Sequence, residues 1–187
     1  MLFPILSCCF LIVIFGLPLL LPCACLDLAK GSLWIWPALL ATPLLYTIGF
    51  VLTAGLLSLP FQSGIVAGRF PRDLRHPVCR KRRLYGLCWT SVYYFKPLYY
   101  LCLSTPWLKW LLFRLFGYKG SMNFTIYPDT WIRDLPLLSF GEGTYISNRV
   151  TLGTNLALSN GQILVDKITC LRRSLVGHLA LVGLAAC

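Results

Sequence analysis

The sequence predicts a membrane protein with an N-terminal transmembrane α-helical hairpin, interfacial helices after it, and a C-terminal third wound as a three-sided prism of short strands. Three observations predict this fold. The chain is 57% hydrophobic with a mean hydropathy of +0.72, and only 12% of its residues are charged. That charged share is about half the usual one for a soluble domain. Two long uncharged runs open the chain, and an apolar residue recurs every six positions near its end.

The first uncharged run covers residues 2–26. About 20 apolar residues cross the hydrocarbon core of a bilayer, so this run is long enough to span. Pro18 and Pro22 are expected to kink or end the helix late in the run. The alternative is a cleaved signal peptide, which is disfavoured because no Lys or Arg precedes the run and the run is too long.

The second uncharged run covers residues 33–66, after a short connection that contains Asp27 and Lys30. Trp34 and Trp36 at its start indicate an interface anchor, because indole rings prefer the headgroup level. Pro43 is expected to interrupt the run, after which residues 44–59 complete a span. The two spans form a hairpin over residues 1–66, although the prolines leave re-entrant halves open as an alternative.

A basic segment, residues 67–83, follows the hairpin. The chain has 17 Lys and Arg against 6 Asp and Glu, and seven of the basic residues lie between Arg69 and Arg83. The positive-inside rule places this segment, and therefore both ends of the hairpin, in the cytoplasm. Nucleic acid is one possible partner of such a patch. The preceding apolar run favours membrane lipid instead, with each cation contributing about 1 kcal/mol at an anionic surface, so no nucleic-acid partner is expected.

Residues 84–120 are rich in Tyr, Trp and Phe, with single cations at Lys96, Lys109 and Arg114. Two prolines divide the stretch into pieces too short to span. We expect amphipathic helices lying in the interface, with the aromatic rings among the headgroups and the cations pointing outward. The alternative is that these helices pack a core against the following segment, and both can hold for different faces.

Residues 121–187 carry a six-residue repeat. Such a period fits neither a helix nor an isolated strand, but it fits a three-sided coil of short strands, about three coils here. The apolar residue of each hexad is expected to point to the axis and to stack on its equivalent one coil away. Ile126 and Ile132 fit the frame after a two-residue shift, and residues 158–161 are expected to bulge out as a loop. The repeated apolar positions are Phe140, Ile146, Leu152, Leu158, Leu164, Cys170, Val176 and Val182.

The hexads FGEGTY-ISNRVT-LGTNLA and CLRRSL-VGHLAL-VG resemble those of the hexapeptide-repeat acyltransferases. The resemblance is greatest to membrane-attached members, including the β-helical terminal modules of certain non-ribosomal peptide synthetases. It implies a left-handed parallel β-helix, a trimer, and transfer of an acyl group from acyl-CoA or a carrier thioester to a hydroxyl or amine, with acyl-CoA as co-substrate and no tightly bound cofactor. Leu171 departs from the Gly expected there. Because the sequence stops at Cys187 within an apolar run, we expect a truncated form or one that needs a partner.

Acyl transfer needs a base for the acceptor proton and donors for the oxyanion. His178 is the candidate base, and the resemblance supports it, although a turn residue is the alternative. Asn148 and Asn155 are candidates for binding the acceptor, or turn residues in their own right. Arg172 and Arg173 suit the phosphates of coenzyme A, with a solvated corner as the alternative.

No metal site is expected. The nine cysteines include no Cys-x-x-Cys pair, and neither His lies at metal-ligand spacing. The sequence thus leaves two functions: a membrane-bound acyltransferase, or a non-catalytic membrane-anchored β-helix that acts as a scaffold.

Overall fold

The computed structural model describes residues 2–183, which begin with helices and continue into short strands. Six α-helices come first along this part of the chain, with one strand between the third and the fourth. They are Leu2–Gly16 (α1), Leu20–Ala29 (α2), Ile35–Gln62 (α3), Pro77–Tyr94 (α4), Lys96–Ser104 (α5) and Pro106–Leu115 (α6). The strands are Gly68–Pro71 (β1), Phe124–Ile126 (β2), Leu138–Phe140 (β3), Thr144–Ile146 (β4), Thr151–Leu152 (β5), Asn155–Ala157 (β6), Gln162–Val165 (β7), Ile168–Cys170 (β8), Leu175–Val176 (β9) and Leu181–Val182 (β10).

Two segments are long and apolar enough to cross a membrane. Ile5–Ala29 has 25 residues and contains an 18-residue stretch with a mean hydropathy of 2.6, and Ile35–Gln62 has 28 residues and contains one with a mean hydropathy of 1.8. A 3₁₀ turn at Leu17–Leu19, around Pro18, separates α1 from α2, as the proline predicts. The expected interruption at Pro43 is wrong, because α3 continues through it. A proline removes one backbone donor, a loss that helices in apolar surroundings tolerate.

The basic segment is a structured part of the fold. Residues 68–71 form β1, and α4 begins at Pro77, so this helix runs through the position at which the basic segment was expected to give way to interfacial helices. Proline at the first position of a helix costs no hydrogen bond and presets its backbone angle. After Pro77, no further proline occurs before the end of α4. The arginines therefore lie on a strand, on a loop and on the first two turns of a helix.

Helices α4–α6 pack a core between the apolar helices and the C-terminal strands. Trp89 is fully buried, and its indole nitrogen donates to the carbonyl of Ile132 at 2.5 Å. The hydroxyl of Tyr85 donates to the carbonyl of Phe116 at 2.9 Å. At the far end of α4, the ring of Phe95 lies 5.7 Å from that of Phe50 in α3. One continuous set of buried side chains thus joins α3 to the strands.

The expectation that Lys96 and Lys109 point outward is wrong, whereas Arg114 is exposed as expected. Lys96 Nζ donates to the carbonyl of Pro128 at 3.0 Å, and Arg114 Nη1 donates to that of Tyr118 at 2.9 Å. Lys109 Nζ donates to the carbonyl of Phe124 and lies 3.9 Å from the centre of its ring. Carbonyls that lack a strand partner need donors, and the aromatic faces add cation–π attraction. These contacts match the alternative, in which the helices pack against the following segment.

The C-terminal strands form three small parallel sheets, ordered β2–β4–β9, β3–β8 and β5–β10. An isolated bridge between Trp131 and Thr151 extends the last of these. Ile126 lies beside Ile146, twenty positions further along the chain. The later partners are thirty positions apart: Phe140 with Cys170, Ile146 with Val176, and Leu152 with Val182. Apolar residues of the repeat therefore stack on one another across strands.

Two positions of the repeat depart from this stacking. Leu158 and Leu164 were expected on the axis, but they are half-buried in an antiparallel excursion in which β6 pairs with β7 and β7 pairs with β1. The turn between β6 and β7 explains the departure: Gly161 has φ +75°, and Asn160 Oδ1 accepts from the amide of Gln162 at 3.1 Å. The loop expected at residues 158–161 is this turn, and its Asn-Gly pair is a strong hairpin signal.

A buried ion pair ties the helices to the strands. Arg82 of α4 contacts Asp134 through Nη2 and also through Nε, at 3.4 Å, and the two side chains are 6% and 0% exposed. The hydroxyl of Thr154, between β5 and β6, donates to the same carboxylate at 2.5 Å. Three segments far apart in sequence therefore meet at Asp134.

Arg82→Ala is expected to lower the free energy of unfolding by about 3–5 kcal/mol, because it leaves the buried carboxylate of Asp134 without its cation. The measurement is denaturant unfolding of the detergent-solubilised protein, followed by tryptophan fluorescence. Arg80→Ala is the matched control, since Arg80 is exposed in the same helix and a surface change costs about 0.5 kcal/mol or less. Equal stability of the two variants would contradict the role given to the pair.

Candidate functional site

His178 and Asn148 lie at stacked corners of neighbouring turns of the chain. Each precedes a residue with positive φ, Leu179 at 60° and Arg149 at 55°. The amide of Leu179 donates to the carbonyl of Asn148 at 3.4 Å, so the two corners are in backbone contact. His178 is exposed and Asn148 is half-buried. The structure thus brings together the candidate base and one candidate acceptor-binding residue.

Arg172 and Arg173 occupy the preceding corner. The amide of Arg173 donates to the carbonyl of Glu142 at 2.9 Å, and Arg172 Nη2 lies 2.5 Å from Glu142 Oε2. Both partners of this ion pair are exposed, and such pairs contribute little to stability, about 0–1 kcal/mol. Arg172 can therefore exchange the carboxylate for a phosphate at small cost.

Two acids of the C-terminal third, Asp134 and Glu142, form ion pairs with residues other than His178 among the described residues. Asp134 is buried beside Arg82, and Glu142 pairs with Arg172. No carboxylate of the described residues forms an ion pair with the imidazole of His178. An exposed imidazole of this kind can accept a proton from a hydroxyl or amine brought next to Asn148.

Asn155 lies elsewhere. It belongs to β6 and lines a cavity of about 530 Å³ between the hairpin β6–β7 and the start of α4; we call this the arginine cavity. His178 and Asn148 do not line it. Its walls are formed by Arg72, Asp73, Leu74, Cys79, Arg82, Arg83, Arg133, Asn155, Ala157 and Ile163.

The arginine cavity concentrates positive charge. Four guanidinium groups reach its walls against the single lining carboxylate of Asp73. Burial lowers the pKa of Arg133, while the nearby Asp134 carboxylate opposes that shift; an arginine stays charged all the same. The Nε atom of Arg133 is buried with no hydrogen-bond partner among the described residues. The sequence interpretation did not single out Arg133, although Arg133-Asp134 is an isolated charged pair between apolar residues.

The buried thiols of α4 and α5 are not candidate nucleophiles. Burial raises the pKa of Cys88 and of Cys102 to about 12. Both thiols are therefore protonated at neutral pH, and the thiolate is the reactive form. Within residues 2–183, no three His, Cys, Asp or Glu side chains come together as metal ligands.

Comparison with known proteins gives no relative: no protein-family model, curated protein or solved structure matches this chain. The two places in the fold whose geometry suits a ligand are the corners of His178 and Asn148 and the arginine cavity.

Gly141→Ala is expected to destabilise the fold by about 1–3 kcal/mol, the range for overpacking, because Gly141 packs against the corner that contains Arg172. A β-carbon at Gly141 would lie 2.5 Å from the backbone nitrogen of Arg172, so the next corner has to move. Gly177→Ala is the matched control. Gly177 also follows an apolar hexad position but has nothing within 4 Å of its added β-carbon.

The measurement is the midpoint of thermal unfolding by circular dichroism for both variants and the wild type. If Gly177→Ala lowers the unfolding midpoint more than Gly141→Ala does, the close packing of the Gly141 corner on the Arg172 corner is contradicted.

Proposed function

We propose that the chain is a membrane-bound acyltransferase whose C-terminal strands form a short left-handed parallel β-helix of the hexapeptide-repeat type. The observation that carries the proposal is the exposed imidazole of His178 at a corner stacked directly on that of Asn148. The β-helix interpretation is supported by parallel partners on three sheets. Three hexads make one coil of ~18 residues. The offset of twenty residues exceeds this length by the two-residue shift. The offset of thirty residues exceeds it because the hairpin β6–β7 is inserted in the coil.

The membrane part of the proposal rests on the two long apolar helices. They form a hairpin whose two ends lie in the cytoplasm, since the arginine-rich residues 69–83 follow directly. The C-terminal strands are then on the cytoplasmic side, where acyl-CoA and carrier thioesters occur. A lipid-linked, saccharide or peptide acceptor near that leaflet would reach them.

The chemistry is general-base catalysis. His178 takes the proton of the acceptor hydroxyl or amine as the acceptor atom attacks the thioester carbonyl. The tetrahedral intermediate then expels the thiolate of coenzyme A, which takes the proton back from the imidazolium. Asn148 hydrogen-bonds the acceptor, while Arg172 and Arg173 contact the phosphates of coenzyme A. Asn155 is left out of this site, because it lines the arginine cavity.

A homo-oligomer, a trimer by resemblance, would complete the site. Leu175 and Leu181 of β9 and β10 are 74% and 75% exposed, and large apolar side chains clustered at a surface are typical of a contact with another subunit. The acyl-CoA would then lie between the coils of neighbouring copies.

The alternative is a non-catalytic, membrane-anchored β-helix that serves as a scaffold. One observation favours it: no carboxylate of the described residues orients the ring of His178. Binding of acyl-CoA distinguishes the two functions, because an acyltransferase has to bind acyl-CoA and a scaffold does not.

His178→Ala is expected to reduce release of coenzyme A from acetyl-CoA or palmitoyl-CoA at least 100-fold, since a positioned general base contributes about 10²–10⁴. The purified full chain in detergent is incubated with each thioester, with hydroxylamine as a small amine acceptor, and products are quantified by mass spectrometry. His76→Ala is the matched control, because His76 is the only other histidine and precedes α4.

Two results would count against the proposal. If His178→Ala and His76→Ala release coenzyme A at the wild-type rate, His178 is not the base. If calorimetry detects no binding of either thioester to the folded protein, the scaffold function replaces the acyltransferase.

A further inference from the structure

The arginine cavity continues toward the first apolar helix. Arg83 and Arg133 line both the arginine cavity and a second cavity of about 320 Å³. The second cavity also reaches Trp131 and Ser7, and Ser7 belongs to α1. The guanidinium of Arg133 is placed there by Gly86, where a β-carbon would lie 2.7 Å from Arg133 Nη2.

The second cavity leads in turn to an apolar groove between α1 and α4. Leu87 and Thr90 line both the second cavity and this third one, of about 370 Å³. The walls of the groove are otherwise almost entirely apolar or aromatic. They are formed by Leu11, Phe15, Leu87, Thr90, Ser91, Tyr94 and Phe95.

The second cavity and the apolar groove lie along the first candidate span, which contributes Ser7 to one and Leu11 and Phe15 to the other. That span begins at Ile5, so Ser7, which lines the second cavity with Arg83 and Arg133, lies near its N-terminal end. Phe15, at the apolar end, lies eight residues deeper, about 12 Å along a helix. Positive charge at the level of headgroups and an apolar groove descending from it match the two ends of an anionic lipid.

We propose that the arginine cavity and the α1–α4 groove together bind an anionic, phosphate-bearing membrane lipid, with its phosphate at Arg83 and Arg133 and an acyl chain along α1 between Ser7 and Phe15. This inference is independent of acyl transfer at His178.

The electrostatics favour phosphate at this position. Arg82 is committed to Asp134, whereas Arg133 brings a buried Nε with no partner among the described residues. Guanidinium groups suit phosphate because their planar donors match its oxygens two at a time. Asp73 is the one carboxylate among the lining residues, against the arginines Arg72, Arg83 and Arg133, so positive charge dominates the cavity.

The test is native mass spectrometry of the full chain in detergent, titrated with dioleoyl phosphatidic acid, dioleoylglycerol and inorganic phosphate. Phosphatidic acid is expected to bind at least tenfold more tightly than either of the others, because only it supplies both the phosphate and the acyl chains. The double variant Arg83→Gln/Arg133→Gln is expected to weaken this binding at least tenfold.

Arg149→Gln is the matched control, since it removes a cation at an exposed corner away from the three cavities. Leu87→Trp fills the apolar groove and is expected to weaken the binding of phosphatidic acid but not the binding of inorganic phosphate. His178→Ala is expected to bind phosphatidic acid as the wild type does, so failure of the acyltransferase proposal leaves this result readable. Circular dichroism checks that each variant is folded.

Three outcomes would overturn the inference. Equal weakening by Arg149→Gln would make the binding a general effect of charge. Equal affinity for inorganic phosphate and phosphatidic acid would make the ligand a soluble phosphate rather than a lipid. Equal affinity for dioleoylglycerol would remove the arginines from recognition.

Discussion

The ion pair between Arg82 and Asp134 is the constraint on which the arrangement of helices and strands depends. Burying two charges costs several kcal/mol each unless they are paired and their remaining hydrogen-bonding positions are filled. Thr154 fills one of these positions, so α4, the segment before β3 and the segment after β5 have to come together at one point. The neighbour of Asp134 in sequence, Arg133, is thereby carried into the arginine cavity. A contact that holds the fold together thus also positions the residue that we assign to phosphate.

The aromatic helices close one end of the stack of strands. Phe113 of α6 lies against Phe124 of β2, with ring centres 5.3 Å apart, and Phe124 lies 5.0 Å from Phe140 of β3. Lys109 and Arg114 supply donors to backbone carbonyls at the same end. The first turn of strands therefore has a cover of rings and cations, which protects a sheet edge that would otherwise be open to pairing with another chain.

Local pattern predicted the elements of the fold better than it predicted their pairing. The run of uncharged residues and the repeat at Phe140, Ile146 and Leu152 are local signals, and both apolar helices and stacked strands follow from them. Leu158 and Leu164 keep the period, yet the turn at Asn160-Gly161 and the partner strand β1 divert them into an antiparallel hairpin. No local signal marks β1 as that partner.

Similarly, seven basic residues look alike in sequence, and only Asp134, fifty-two positions from Arg82, decides which of them is buried. The stacking of His178 on Asn148 depends on the length of that same hairpin, so it could not be derived from the hexads alone.

The pairing of β1 with β7 also sets an order of events during synthesis. Chains are made and fold from the N terminus, so β1 emerges directly after α3, whereas β7 emerges only after α4–α6 and β2–β6. Until then β1 is a strand without a neighbour, and Arg69 and Pro71 on it disfavour pairing with a wrong chain. The wall that β6 and β7 give to the arginine cavity is therefore among the last features to form. A nascent chain arrested before Gln162 would already contain both long apolar helices but would lack the wall that β7 gives to the arginine cavity.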